Sequence, residues 1–329
     1  MDISRLSSRV RQWGRRYLPS RCKYWLKKIL PLGLEAPVAN IPLPLLNNVE
    51  QALRLWFEDP HLIQARQSVM ACDRSQECAS IVLVTYNNLS LTRLCLESIY
   101  KHTNELPFEL IIVDNKSQDG TCGYLKGLQE ILPNLRVILN PCNEGFARAN
   151  NRGLMEACGD YIVLLNNDTI VCRTWLSRLL SYLGQDPTIG MVGPVTNSAG
   201  NEQMIPARYS SIEELERFAE QRLKDFEGRY FEIDSLAMFC VVFRRRLIDE
   251  IGLLDERFGL GTFEDDDFCH RAKLRGYKLI CAEDVFVHHF GRGTTRSWGD
   301  REYLKLFEHN RRLFERKWGV RWRPARLRI

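Results

Sequence analysis

The stretch Tyr161–Val171, YIVLLNNDTIV, decides how the rest of the chain is read. Its first five residues form a continuous apolar run that predicts a buried strand. The polarity then flips at once to Asn166, Asn167 and Asp168. A strand that only filled a core would more often end in a Gly or Pro turn. Two amides and a carboxylate at the tip are a different choice, and the flanking sequence repeats it.

From about Ser80 the rhythm is strand, loop, helix. SIVLVTY (80–86) predicts a strand, and SLTRLCLESIYKHT (90–103) a helix that Ser90 is placed to cap. ELIIVDN (109–115) is the next strand, followed by the turn KSQDG (116–120) and the helix TCGYLKGLQEIL (121–132). LRVILN (135–140) and GFARANNRGLMEAC (145–158) give a third strand and helix before the opening stretch. Apolar strands alternating with amphipathic helices predict an α/β fold, a mostly parallel sheet covered by helices on both faces. Such sheets bind ligands beyond the carboxyl ends of their strands. Three polar tips fall there together: Tyr86-Asn87-Asn88, Asp114-Asn115 and Asn166-Asn167-Asp168.

After Val192 the pattern is less regular. FCVVFRRRLIDEIGLLDERFG (239–259) reads as a strand, a short helix and a Gly-ended turn. FEDDDFCHRAKLRGYKLI (263–280) opens acidic and becomes a helix, and YKLICAEDVFVHHFGRG (277–293) carries two histidines. His288 and His289 follow the strand DVFV, so alternation sends their rings to opposite sides.

With 329 residues, 45% hydrophobic and 26% charged, the chain is expected to be globular, with ample material for a core. No run reaches the roughly 18 apolar residues a spanning helix needs, and the start MDISRLSSRV lacks the pattern of a signal peptide. The eleven cysteines include no CxxC pair, which predicts reduced thiols in a cytoplasmic protein and no zinc site.

The net charge of +5 hides a division. Residues 1–30 carry nine Lys/Arg and one acid, and residues 311–329 carry eight and one, so the stretch between them is net −10. Ile3, Leu6, Val10, Trp13 and Tyr17 recur at helical steps among five arginines, giving one apolar and one cationic side. Two readings stand for these ends: a peripheral contact with an anionic membrane on its inner face, or helices packed on the acidic body. Nucleic-acid binding ranks below both, because the body is acidic and no recognised module is present. The expected organisation is a basic helical extension with a Pro-rich connector over 1–75, a central domain over 76–299 and a basic C-terminal helix over 300–329.

The tips define a chemistry. A carboxylate such as Asp168, an imidazole and phosphate oxygens together suit Mg²⁺ or Mn²⁺. The acidic run Glu264-Asp265-Asp266-Asp267 exceeds what a helix start needs, and a carboxylate there is placed for general-base work. Gly145, after Asn143, opens a helix whose N-terminus suits an anion.

In order and spacing, SIVLVTYNN, IIVDNKSQDGT, NEGFARANNRG, YIVLLNNDT, GLLDERFG, FEDDDFCHR with RGYKL, and VFVHHFG resemble an inverting family 2 glycosyltransferase of the GT-A type, over roughly residues 79–293. Within that family the resemblance is to the bacterial rhamnosyltransferase-like branch. It implies that Thr85, Tyr86 and Asn87 hold the nucleotide and that Asp114 reads the base. Asn143, Gly145 and Asn151 would face the nucleotide sugar. Asn166, Asn167 and Asp168 stand where the family has its DXD motif, with Asp168 as metal ligand and Asn166 in place of the first Asp. Asp265 matches the catalytic base beside Glu264, which would also meet the donor. His288 is in register with the metal-binding His, with His289 as the alternative. The implied donor is a UDP- or dTDP-linked sugar, and the implied acceptor a glycan, a lipid-linked glycan or a protein. The competing expectation is a domain of the same fold that binds the nucleotide sugar without turning it over.

Overall fold

The structure, a computed structural model, describes residue 41 and residues 49–67, 77–291 and 300–325. The basic stretch of residues 1–30 lies outside the described residues, as does the Pro-rich connector apart from buried Ile41.

Two short helices, α1 (Val49–Glu58) and α2 (Pro60–Gln67), precede the sheet with a break between them at Asp59. The break follows from Asp59-Pro60. Pro60 opens the new helix, where its missing N–H costs nothing, and Asp59 Oδ1 accepts the amide of His61 at 2.8 Å. Helix α1 lays Trp56 into the main core, where its indole N–H donates to Tyr124 Oη at 2.9 Å.

The centre is an eight-stranded sheet. Its strands are β1 (Ala79–Thr85), β2 (Phe108–Asp114), β3 (Leu135–Leu139), β4 (Tyr161–Asn166), β6 (Ile189–Val195), β7 (Tyr230–Glu232), β8 (Cys240–Arg244) and β9 (Lys278–Phe286). They lie in the order β3-β2-β1-β4-β8-β6-β9-β7, and only β8 and β7 run against the others. The expected mostly parallel, helix-covered sheet is therefore present. Two residues each of β5 (Thr169–Ile170) and β10 (His288–His289) form a separate antiparallel pair.

Strand alternation divides the core. Ile81, Leu83 and Val163 face the layer of α3 (Leu89–His102), α4 (Thr121–Ile131) and α6 (Trp175–Gln185). Val82, Ile162 and Leu164 face α5 (Phe146–Glu156), α8 (Arg246–Ile251) and α9 (Glu264–Leu274). Burying one such Leu or Ile side chain contributes about 1.5–3 kcal/mol, so the apolar runs that mark β1, β2 and β4 also hold the rim in place. Helix α7 (Ile212–Asp225) is capped by Ser211, whose hydroxyl accepts the Glu214 amide at 3.2 Å.

Ser90 does not cap α3. The helix begins one residue earlier, at Leu89, and the Leu89 amide donates to Asp119 Oδ2 at 3.0 Å across the rim. The cap is thus supplied from a distant turn. The C-terminal helix α10 (Asp300–Trp318) packs on the body through Phe314 and Trp318, joined by Trp322 just beyond its end. Among the described cysteines, eight are free thiols and Cys78 is disulfide-bonded. No helix among the described residues is long and apolar enough to cross a membrane.

Candidate active site

Register aligns the strand tips. Thr85 lies opposite Asp114, and Val84 opposite Asn166, so β1, β2 and β4 end at one level. Thr85 Oγ1 donates to Asp114 Oδ1 at 3.0 Å, and Asp114 Oδ2 accepts the Ser117 amide at 3.0 Å. Each carboxylate oxygen keeps a second lone pair for a ligand. Asn87 sits at φ 56, donating its amide to Ser117 Oγ and accepting the Gln118 amide on Oδ1, both at 2.7 Å. Tyr86 is half-buried between these fixed neighbours. The tips of β1 and β2 therefore form one laced edge.

A second network carries the turn before α5. Asn115 Oδ1 accepts the Asn140 side-chain amide at 2.7 Å, and Asn115 Nδ2 donates to the Gly145 carbonyl at 3.2 Å. Asn143 Oδ1 accepts the Gly145 amide at 3.0 Å. Gly145 itself has φ 82, and a Cβ there would stand 2.9 Å from Leu260 Cα and against the Gly259 carbonyl. Only glycine fits this turn. Asn151, expected to face the donor, is spent elsewhere: Nδ2 donates to the Leu254 carbonyl at 2.9 Å and to Glu256 Oε1 at 3.0 Å, and Oδ1 accepts the Leu254 amide at 3.0 Å. It clamps the loop after α8 and has little capacity left for a ligand.

The opening stretch delivers Asp168. The Asn166 amide donates to the Phe239 carbonyl at 2.8 Å, and Asn167 Nδ2 donates to Thr92 Oγ1 at 2.9 Å. These anchor the turn on both sides, and Asp168 is left 2% exposed. Its Oδ1 stands 3.2 Å from Nε2 of His289. The antiparallel bridge puts His289 beside Thr169 and His288 beside Ile170, so the rings part as alternation requires. His288 is 1% exposed, with Nδ1 2.6 Å from Tyr209 Oη and its ring edge on Phe290. The histidine that meets Asp168 here is the one the resemblance gives as the alternative.

Sequence reading missed the groups that orient His289. Its Nδ1 lies 2.7 Å from the Ser198 carbonyl; a carbonyl only accepts, so Nδ1 carries hydrogen and Nε2 faces Asp168. Asn197 grips the same residue's backbone, accepting the His289 amide at 2.8 Å and donating to its carbonyl at 3.1 Å. Phe239 stacks on the ring at 5.2 Å. Burial disfavours the imidazolium, but the charge and hydrogen bond of Asp168, with help from the Ser198 carbonyl, outweigh it and raise the pKa above the usual histidine value. Among the described residues no group of three or more His, Cys, Asp or Glu gathers around a metal position. A carboxylate and an oriented imidazole still fit a divalent ion that takes its remaining oxygens from a diphosphate.

The acidic run opens α9. Asp267 is buried and consumed by structure: Oδ2 pairs with Arg271 Nε at 2.9 Å, and Oδ1 with Lys317 Nζ at 2.5 Å. Glu264 is buried, while Asp265 and Asp266 are half-exposed. Asp265 Oδ1 accepts the Asp266 amide at 3.0 Å. The backbone that delivers them is strained, with Thr262 at φ 74 and Phe263 at φ 70. Each such residue costs on the order of 1–3 kcal/mol. Residues 236–239 join α9 to the imidazole: the Leu236 amide donates to Cys269 Sγ at 3.3 Å, and three residues on Phe239 stacks on His289.

The sequence profile described as glycosyl transferase family 2 matches residues 80–252. YwdF of Bacillus subtilis (strain 168), an uncharacterized glycosyltransferase, is 30% identical over 213 residues, covering 63% of this chain and 73% of that protein. Among solved structures, GalNAc-T7 with UDP, GalNAc and Mn²⁺ has a TM-score of 0.52 at 18% identity, covering 79% of this chain and 56% of that one. The mannosyltransferase PcManGT from Pyrobaculum calidifontis, in complex with GDP-Man and Mn²⁺, has a TM-score of 0.50 at 20% identity, covering 73% and 67%. These likenesses speak for the fold, which is the expected GT-A type. Against three other curated relatives the chain spans between 24% and 66% of their length. Asp265 and both histidines lie beyond the matched residues 80–252.

Proposed function

Since the chain belongs to glycosyl transferase family 2, we propose that it moves a sugar from a nucleotide-diphosphate donor to an acceptor hydroxyl with inversion at the anomeric carbon. The observation that carries this reading is the Asp168–His289 pair at the sheet rim, with Nε2 turned to the carboxylate by the Ser198 carbonyl. Asp168 and His289 would hold Mg²⁺ or Mn²⁺, which when bound supplies positive charge to the donor diphosphate. Thr85, Asp114 and the Asn87 turn bind and orient the nucleotide, while Asn143 and Gly145 present the start of α5 to it. Asp265 takes the proton of the acceptor hydroxyl as its oxygen bonds to the anomeric carbon. The bond from that carbon to the phosphate oxygen breaks, and the nucleoside diphosphate leaves with the electron pair. A UDP- or dTDP-sugar is the proposed donor, and glycan or glycoconjugate assembly the proposed setting.

The basic residues 1–30 are proposed to meet an anionic lipid surface, on composition alone. Co-sedimentation with anionic vesicles should weaken when they are deleted; undiminished binding would refute the role.

A panel of UDP- and dTDP-sugars, assayed for released nucleotide with and without Mn²⁺, tests the main reading. Metal-dependent release from at least one donor is expected. Binding without release from any would favour a silent nucleotide-sugar module.

A further inference from the structure

We infer that Asn310 and Lys317 of the C-terminal helix are positioning residues for sugar transfer: they set the path of residues 258–263 and through it the placement of Asp265. The inference rests on the reading of Asp265 as the base.

Asn310 is 1% exposed. Its Nδ2 donates to the carbonyls of Phe258 at 2.7 Å and Gly261 at 2.8 Å, with the Thr262 carbonyl and hydroxyl further off at 3.2 Å. An amide has two hydrogens, so the two shorter contacts claim them. The surroundings are aromatic: Phe263 packs on Phe307, Phe314 and Trp322. A backbone carbonyl in such a place needs a donor, and Asn310 brings it.

The segment it holds has left-handed backbone at Gly259, Gly261, Thr262 and Phe263. At Thr262 and Phe263 local preference opposes that path, so outside contacts must hold it. Phe263 is followed directly by Glu264 and Asp265. On the far side of Asp265, Lys317 Nζ bridges Asp255 at 2.7 Å and Asp267 at 2.5 Å, and Trp318 Nε1 donates to Asp267 at 2.9 Å. One helix therefore fixes the chain before and after the proposed base. The nucleotide side has anchors of its own in Asn115 and Asn143, which bond Gly145, although that glycine also packs against residues 259 and 260.

Attachment of α10 does not need an amide at this point. The aromatic contacts of Phe314, Trp318 and Trp322 supply it, and a leucine at position 310 would bury as well. The Asn is explained by the shape it gives the loop.

The test is Asn310→Leu, which keeps the volume and removes the donors, beside Lys317→Met and Lys317→Arg. Affinity is read with UDP and Mn²⁺, and turnover as nucleotide released from whichever UDP- or dTDP-sugar the wild type turns over fastest. Asn310→Leu and Lys317→Met should each lower kcat by about ten-fold or more. UDP affinity should stay within about two-fold, and Lys317→Arg should restore most of the rate. Wild-type kcat in a folded Asn310→Leu, or kcat and affinity falling together, would overturn the inference. Should Asn310→Leu not fold, the Lys317 pair decides by the same criteria. Asp265→Asn is run beside them. If it retains turnover, the base assignment fails and the inference with it. If it is inactive while Asn310→Leu and Lys317→Met are fully active, only the positioning inference fails. A wild type that releases nucleotide from no donor removes both.

Discussion

His289 Nε2 meets Asp168 Oδ1 at 3.2 Å because two strands of two residues each, β10 and β5, pair in one register. That register separates the roles of adjacent histidines. His289→Ala should weaken Mn²⁺ binding in the presence of UDP by about ten-fold or more. His288→Phe should leave that binding intact and lower stability by about 1–3 kcal/mol, since it strips the Tyr209 hydroxyl of its buried partner. Metal titration and denaturant unfolding of both variants check this, and a reversed pattern would return the ligand role to His288.

Asn197 acts on the same imidazole through its backbone. Asn197→Ala removes both bonds to the His289 main chain and leaves the ring present. Mn²⁺ affinity should fall about ten-fold. Unchanged affinity alongside a lower melting temperature would reduce Asn197 to a structural part.

Gly145→Ala should be costly. The new methyl group meets the Gly259 carbonyl and Leu260 Cα, and φ 82 disfavours it whatever the space. Stability should fall by more than about 1 kcal/mol, and UDP affinity should drop because the turn before α5 must shift. Calorimetry with UDP and Mn²⁺ reads the second effect.

Glu97 predicts a pH dependence far from the site. Burial pushes its carboxyl up to about 7, against the pull of Arg93, whose Nη1 lies 3.0 Å away. The folded value is above the unfolded one of about 4.3, so the folded state favours the protonated acid. Its contribution is complete below the unfolded value and is lost as pH rises through about 7. Glu97→Gln should therefore be more stable than wild type at pH 8.5, by up to about 3 kcal/mol, and show little gain at pH 4. Urea unfolding at the two pH values measures the difference.

Much of this frame was legible in the residues. The runs that became β1, β2 and β4 are buried on both faces, and continuous apolarity is the signature of that environment. Their polar tips marked the rim for the same reason. Strand β6, with its Gly and Pro residues, and α6 went unread, because GMVGPV lacks the β-branched density of its neighbours. Alternation foretold that the two histidines would part, but which one faces Asp168 depends on a register set by Asn197, some 90 residues away in sequence. Asn151 looked like a donor contact because it sits on the right helix, and its partner loop at Leu254 was visible only in three dimensions. Likewise, an amphipathic basic helix reads the same whether it meets lipid or packs on the body. Asn310 and Lys317 show the packed face of α10.

The most direct measurement is calorimetric binding of UDP and of dTDP, with and without Mn²⁺, to the wild type and to Asp168→Ala. The wild type should bind at least one of the two about ten-fold more tightly with the metal present, and Asp168→Ala should lose that increment while keeping metal-free affinity. Equal metal dependence in both proteins would contradict the claim that Asp168 and His289 grip the donor diphosphate through a divalent ion.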